Sequence, residues 1–230
     1  MGGPCFLVHN IEGAPPPEAS VEKKQVVIEQ QKGLSLKLPS ATAGIPRRKR
    51  AIGPGATDNF QVAPFQFAGQ LWQSVEQCYQ AFKFNDEKGR ELIQMMVPFG
   101  GESDHSHGMR VWSAGGRYNC SSMRSDWDAV KVEVMLRACR AKLAAHANLR
   151  EELLGTGDVP IVGAPSTQWQ SKATGNHNWS KWNGRIQELV REELKAAAQG
   201  AALSEHGMEL AKAFTAHMAA EGGAVHPIPG

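Results

Sequence analysis

The chain has 230 residues, 41% hydrophobic and 21% charged, with a formal net charge of +2. That balance is globular and excludes a disordered polyelectrolyte. It also excludes a global field that would drive the chain onto nucleic acid or an anionic membrane, so any such contact falls to a local patch. Cys5, Cys78, Cys120 and Cys139 lie far apart with no CxxC pair, and read as reduced, mostly buried thiols rather than a disulfide framework. No apolar run is long enough to cross a bilayer. The opening MGGPCFLVHNIEGAPPPEA lacks the basic region and apolar core of a secretory signal. Phe6 stands where a myristoylation motif asks for Ser or Thr. An intracellular protein without a membrane partner is expected.

In chain order, Ala14–Ser20 is a stiff proline stretch, and QVVIEQQKGLSLKLP predicts a hairpin closed by Pro39. Ser40–Thr57 reads as a loop around RRKR, Arg47 to Arg50. This run suits a solvated loop, a phosphate contact or a nuclear localisation signal beside a cytoplasmic default. The main domain is placed at 58–200, after an N-terminal extension over 1–57 and before a C-terminal helix and tail over 201–230. Short extended pieces precede a helix over Ser74–Phe84, and a second helix runs from Asn85 to about Met96, capped by Asn85 or Asp86. Pro98–Tyr118 is rich in Gly and Ser and reads as a long loop. A long helix follows from Asp126 to about His146, with Val130, Val134, Cys139 and Leu143 facing the core. After it come a short helix ending at Gly155, a brief strand VPIVG, and helices over Trp179–Gln199 and Leu203–Ala220, with the final GGAVHPIPG as a frayed tail. The fold class is α+β, a mostly helical single domain with small β elements.

The helix after Ser74 holds polar residues at helical spacing within an otherwise apolar segment. Ser74 is a good N-cap and Gln77 completes a capping box. Val75, Cys78, Tyr79 and Phe82 form one apolar stripe; Glu76, Gln80 and Lys83 form the stripe beside it. On spacing alone those polar residues read as a solvated flank, with Glu76 favoured near the helix N-terminus. The alternative is a pocket wall, where a half-buried carboxylate accepts a proton or stabilises positive charge and a half-buried lysine acts as nucleophile or cationic clamp. His105 and His107 in DHSH are a weak metal pair without companion ligands.

Three blocks in order carry a family resemblance. The first is DNFQVAPFQFAGQLWQSVEQCYQAFKF, with Asn59, Phe60, Pro64, Phe65, Gly69, Trp72, Val75, Glu76, Tyr79, Gln80, Ala81, Lys83 and Phe84 at the motif positions. The second is RSDWDAV with its later LLGTG ending, and the third is QWQSKATGNHNWSKWNGR. Over roughly Asp58 to Leu194 the sequence resembles the NADAR family, named for its association with NAD and ADP-ribose. Two positions depart from the pattern: Ser166 stands where an acidic residue is usual, and Gln170 where glycine is usual.

The resemblance implies an N-glycosidase acting at a ribosyl anomeric carbon. It removes ADP-ribose from guanine in nucleic acid or nucleoside, or cleaves phosphorylated riboflavin-biosynthesis intermediates. A non-catalytic module that grips ADP-ribose or NAD is the third alternative. Substrate or carrier DNA or RNA would be the partner, and the resemblance requires no metal and no cofactor. Glu76 is the expected stabiliser of oxocarbenium-like charge or base, and Lys83 the proton donor or Schiff-base amine. Trp127 would stack on a ring, Arg124 and the helix start at Asp126 would hold phosphate, Phe60 and Trp169 would wall the base, and Asn59, Tyr79, Gln80, Asn178 and Arg185 would add contacts.

Overall fold

Backbone pairing in the computed structural model, which describes residues 3–10, 48–117 and 123–222, bears out the α+β expectation. β1 (Phe6–Asn10) and β2 (Arg48–Ile52) pair antiparallel, and β5 (Ile161–Val162) joins β1 on its other edge. β3 (Phe65–Phe67) and β4 (Gln70–Trp72) form a hairpin, as do β6 (Gln168–Ser171) and β7 (Gly175–Asn178). The helices are α1 (Val75–Ala81), α2 (Glu87–Gln94), α3 (Asp104–Arg117), α4 (Trp127–Ala145), α5 (Ala147–Leu154), α6 (Trp179–Gln199) and α7 (Glu205–Ala220). The β3–β4 turn has positive φ at both Ala68 and Gly69, 56° and 74°, which suits the twist of a two-residue hairpin. No helix of the described residues is long and apolar enough to cross a membrane.

α4 and α1 form the centre. Val130, Val134, Cys139 and Leu143 are buried as their spacing predicts, but so are Val132, Met135, Leu136 and Ala138. A helix apolar on most sides is enclosed by others, and α4 touches α1, α5, α6, α7 and β3. The apolar stripe of α1 meets Trp72 and the core, with Phe82 5.8 Å from the Trp72 ring. Cys5, Cys78 and Cys139 are buried free thiols, and burial pushes Cys5 up to about 12 and Cys139 to about 11, so they stay protonated. Cys120 lies outside the described residues.

Two segments differ from the sequence expectation. Arg48–Ile52 is a strand rather than a loop, because β1 supplies a partner forty residues away: Leu7 sits opposite Ala51 and Val8 opposite Arg50. Asp104–Arg117 is a helix rather than a loop. Its glycines depress helix propensity, yet two of them permit close packing: a Cβ at Gly108 would lie 2.2 Å from the Phe60 ring, and one at Gly115 would lie 2.1 Å from Gln80 Oε1. Tertiary contact overrides local preference there. The predicted hairpin around Val26–Leu38 and the tail beyond Gly222 lie outside the described residues.

Gly108 and Gly116 therefore separate packing from propensity. Gly108→Ala should cost about 1–3 kcal/mol of unfolding free energy through overpacking against Phe60. Gly116→Ala, whose Cβ would meet nothing within 4 Å, should be neutral or stabilising by about 0.4–1 kcal/mol. Urea titration of both variants checks this; equal effects would contradict the close approach.

Candidate active site

α1 is held at its start, and to the end of α2, by side chains its sequence supplies. Ser74 Oγ accepts the Gln77 N–H at 3.1 Å, as the N-cap pattern predicts. The return bond differs from a standard capping box: Gln77 Oε1 accepts from Gln73 N at 2.7 Å. Gln77 Nε2 then donates to Ile93 O and Gln94 O, both at 3.0 Å, and to Met96 O, tying α1 to the end of α2. From below, the Glu76 N–H donates to Asn59 O at 2.9 Å. Asn59 is fixed in turn, its Nδ2 donating to Asn183 Oδ1 at 3.4 Å. The buried Lys142 amine donates to Ala56 O at 2.9 Å and Asp58 O at 3.0 Å, holding the turn that delivers Asn59.

The polar stripe of α1 faces inward. Glu76 has 0% exposure and Gln80 1%. Gln80 Nε2 donates to Glu76 Oε1 at 2.6 Å, while Glu76 Oε2 and Gln80 Oε1 are both buried without a hydrogen-bond partner. Buried acceptors are nearly always bonded; Gln80 Oε1 lies against Gly115 of α3, which leaves Glu76 Oε2 as the candidate for a ligand contact. One turn on, Lys83 is half-buried and its Nζ lies 5.6 Å from the Tyr79 ring centroid. Burial draws the Lys83 amine below its ordinary value; the Glu76 charge acts upward against this, and Lys131 adds to the fall. Burial also raises the Tyr79 phenol well above its usual range, with the Glu76 and Asp128 charges adding to it, so Tyr79 stays neutral.

An aromatic wall stands beside this stripe. The Tyr79 ring is 4.9 Å from Trp127 and 5.3 Å, edge-on, from Trp179. Trp179 is 5.1 Å from Trp169, and the Lys131 Nζ sits 4.0 Å over the Trp169 ring. Burial lowers the Lys131 amine, and Asp128, 2.6 Å away, holds it up. The entry to α4 is stitched to the end of α1: Arg124 N donates to Lys83 O at 2.7 Å, and Phe84 bridges Met123. Arg124 then grips Asp126 with two donors, Nε at 2.8 Å and Nη2 at 2.9 Å. Asp126 makes no side-chain capping bond, because its carboxylate faces Arg124.

The predicted residues thus divide. Glu76, Tyr79, Gln80, Lys83, Arg124, Asp126, Trp127 and Trp169 gather around α1 and the start of α4. Phe60, 2% exposed, packs under α3, its ring 5.8 Å from His105, and Asn59 supports Glu76 from the core through its backbone carbonyl. Asn178 is the N-cap of α6, accepting from Lys181 N at 2.8 Å, and Arg185 lies over the Trp182 ring at 5.4 Å. Lys131 and Trp179 join the wall without having been anticipated. Lys131 follows Trp127 by one helical turn, a spacing that places both on one face of α4; no such local signal marks Trp179.

The comparisons bear on this arrangement. The N-glycosidase YbiA of Shigella flexneri serotype 5b is 35% identical over 140 residues, covering 61% of this chain and 81% of YbiA. The riboflavin biosynthesis protein VVA0006 of Vibrio vulnificus is 28% identical over 144 residues, 63% of this chain and 36% of that protein. The NMR structure of Escherichia coli YbiA matches 66% of this chain and 84% of its own at 30% identity, with a TM-score of 0.49. The model of the NADAR domain matches residues 52–195, well over half of the sequence, and the chain belongs to the NADAR domain family.

Proposed function

We propose that this protein is a hydrolase of N-glycosyl bonds that releases ADP-ribose from guanine carried on nucleic acid or nucleoside. The observation that carries the reading is Glu76: a carboxyl group with no solvent exposure, one oxygen held by Gln80 and the other unbonded, beside a half-buried amine and an aromatic wall. The likeness to proteins named N-glycosidase supports the bond class.

Breaking the bond from C1′ to the base nitrogen leaves positive charge on the ribose. Glu76 Oε2, unbonded and fixed by α1, stabilises that charge without first reorganising, which lowers the transition state more than the ground state. Gln80 fixes the Glu76 orientation. Water adds to C1′ and passes a proton to Glu76 while the base nitrogen takes a proton from the Lys83 ammonium, giving free ADP-ribose and an unmodified guanine still on its carrier; proton exchange with solvent then resets both groups. Burial brings the Lys83 amine down toward working pH, where proton donation is more effective. Trp127, Trp169 and Trp179 offer ring faces for the purine. Arg124, already bonded to Asp126, and the start of α4 serve the diphosphate. A second reading takes a phosphorylated riboflavin-pathway intermediate as substrate, which the Vibrio relative's name favours.

Incubation with ADP-ribosylated guanosine oligonucleotide should release ADP-ribose, while the aminopyrimidine ribose phosphate is spared; the opposite pattern establishes the second reading, and tight binding with no turnover of either marks a binding module. Glu76→Gln should reduce turnover by about a hundredfold or more with an unchanged far-UV spectrum; near-normal turnover removes Glu76 from the chemistry. As a proton donor, Lys83 must be protonated, so kcat/KM should fall as pH rises through an amine value below the ordinary 10.5. That fall should vanish in Lys83→Met, and a fall that stays in place assigns it to another group. A borohydride-trapped adduct would make Lys83 the nucleophile instead.

A further inference from the structure

The hydrolytic reading leaves one partly buried polar cluster unused. His177 in β7, His217 in α7 and Glu221 just past the end of α7 each offer one ligand-type atom, and the three atoms lie within 4.8 Å of one another. His217 is 6% exposed and its Nε2 has no hydrogen-bond partner. Its ring meets the His177 ring edge-on at 4.9 Å. His177 Nε2 is 2.6 Å from Thr174 Oγ1, and that hydroxyl also bonds Glu221 Oε1. Burial lowers both imidazoles, favouring the neutral form that can donate a lone pair.

We propose that His177, His217 and Glu221 bind a borderline divalent transition-metal ion, zinc foremost, which ties α7 to the hairpin that carries Trp169. Two imidazoles and one carboxylate are a zinc donor set that leaves a fourth position open. The nitrogen-rich set disfavours magnesium and calcium, which take oxygen ligands. Zinc bonds of about 2.0–2.2 Å place ligand atoms about 3.3–3.5 Å apart, so the three groups close in on the ion from their present spacing. Glu221 sits at a helix end, and metal binding there exchanges its Thr174 and Ser171 hydrogen bonds for the ion; the Thr174 hydroxyl touches both His177 and Glu221 and can bond whatever fills the fourth position. Coordination through His177 Nε2 moves the ring proton to Nδ1. It thereby ends the 3.3 Å bond from Trp182 Nε1, making Trp182 a reporter. Lys131, Lys181 and Arg185 also act on His177 and oppose a dication, with Glu221 the counter-charge. His217 and Glu221 both lie beyond residues 52–195. The site therefore joins His177 of the family domain to two residues of the C-terminal segment, and it stands or falls independently of the hydrolytic reading.

Equilibrium dialysis of the chelator-stripped full chain against zinc chloride tests this without substrate. The expected result is saturable uptake of one zinc per chain, not displaced by excess magnesium, with a tryptophan fluorescence change that saturates at the same ratio and is lost in Trp182→Phe. His217→Ala and Glu221→Gln should each weaken uptake about tenfold or more, whereas exposed His105→Ala should not. Should His217→Ala disturb α7, Glu221→Gln decides, since its amide still accepts from Thr174. Absence of saturable uptake at one per chain, or uptake unchanged in Glu221→Gln, overturns the proposal.

Discussion

A carboxyl group with no access to solvent, placed one residue into a seven-residue helix, is the constraint around which this protein is arranged. Burying such a group is unfavourable unless its partners are already in place. Here Gln80 from the next turn bonds one carboxyl oxygen, while the Asn59 carbonyl holds the Glu76 backbone N–H and the Gln77 staple to α2 fixes the helix that carries it. The Lys142 amine, itself wholly buried, spends its donors on the turn that delivers Asn59. Rigidity at Glu76 is thus built from polar groups bonded within the protein, and one Glu76 oxygen is left over.

Around that oxygen the charges are unevenly balanced. Lys83 and Lys131 are both drawn down by burial, the Lys131 charge also lowers Lys83, and Asp128 is the direct partner of Lys131. Between them stand neutral rings, Tyr79 with Trp127, Trp169 and Trp179. The proposed nucleotide-sugar substrate would set its base against those rings, its phosphates toward Arg124 and the start of α4, and its glycosidic nitrogen toward Lys83, with the anomeric carbon at Glu76.

Much of this was legible from local pattern. Ser74 and Asp86 mark helix starts, and both cap as expected, Asp86 Oδ1 accepting from Gly89 N at 2.6 Å. The period of α4 named its core residues. The stripe spacing of Glu76, Gln80 and Lys83 was equally clear, but spacing cannot say whether a stripe faces water or a neighbouring helix; α3 settles that by lying against Gln80 through Gly115. The same α3 was misread, since a run of Gly and Ser has a loop's composition, and only Phe60 and Gln80 reveal why small residues are needed. Long-range pairing hid β1 and β2 for a similar reason, as neither strand carries the pattern of its partner. Asn178 and Arg185 were assigned to a ligand because they share a block with Trp169; in three dimensions one caps a helix and the other covers Trp182.

A crystal structure of Glu76→Gln with bound ADP-ribosylated guanosine tests the account most directly. It should place the ribose C1′ about 3–3.5 Å from the side chain at position 76, a reactive contact distance, with the guanine against the Trp127–Trp169–Trp179 rings and Lys83 Nζ toward the glycosidic nitrogen. A ligand bound elsewhere, with the side chain at position 76 still sealed in the core and no path to it, would contradict the account.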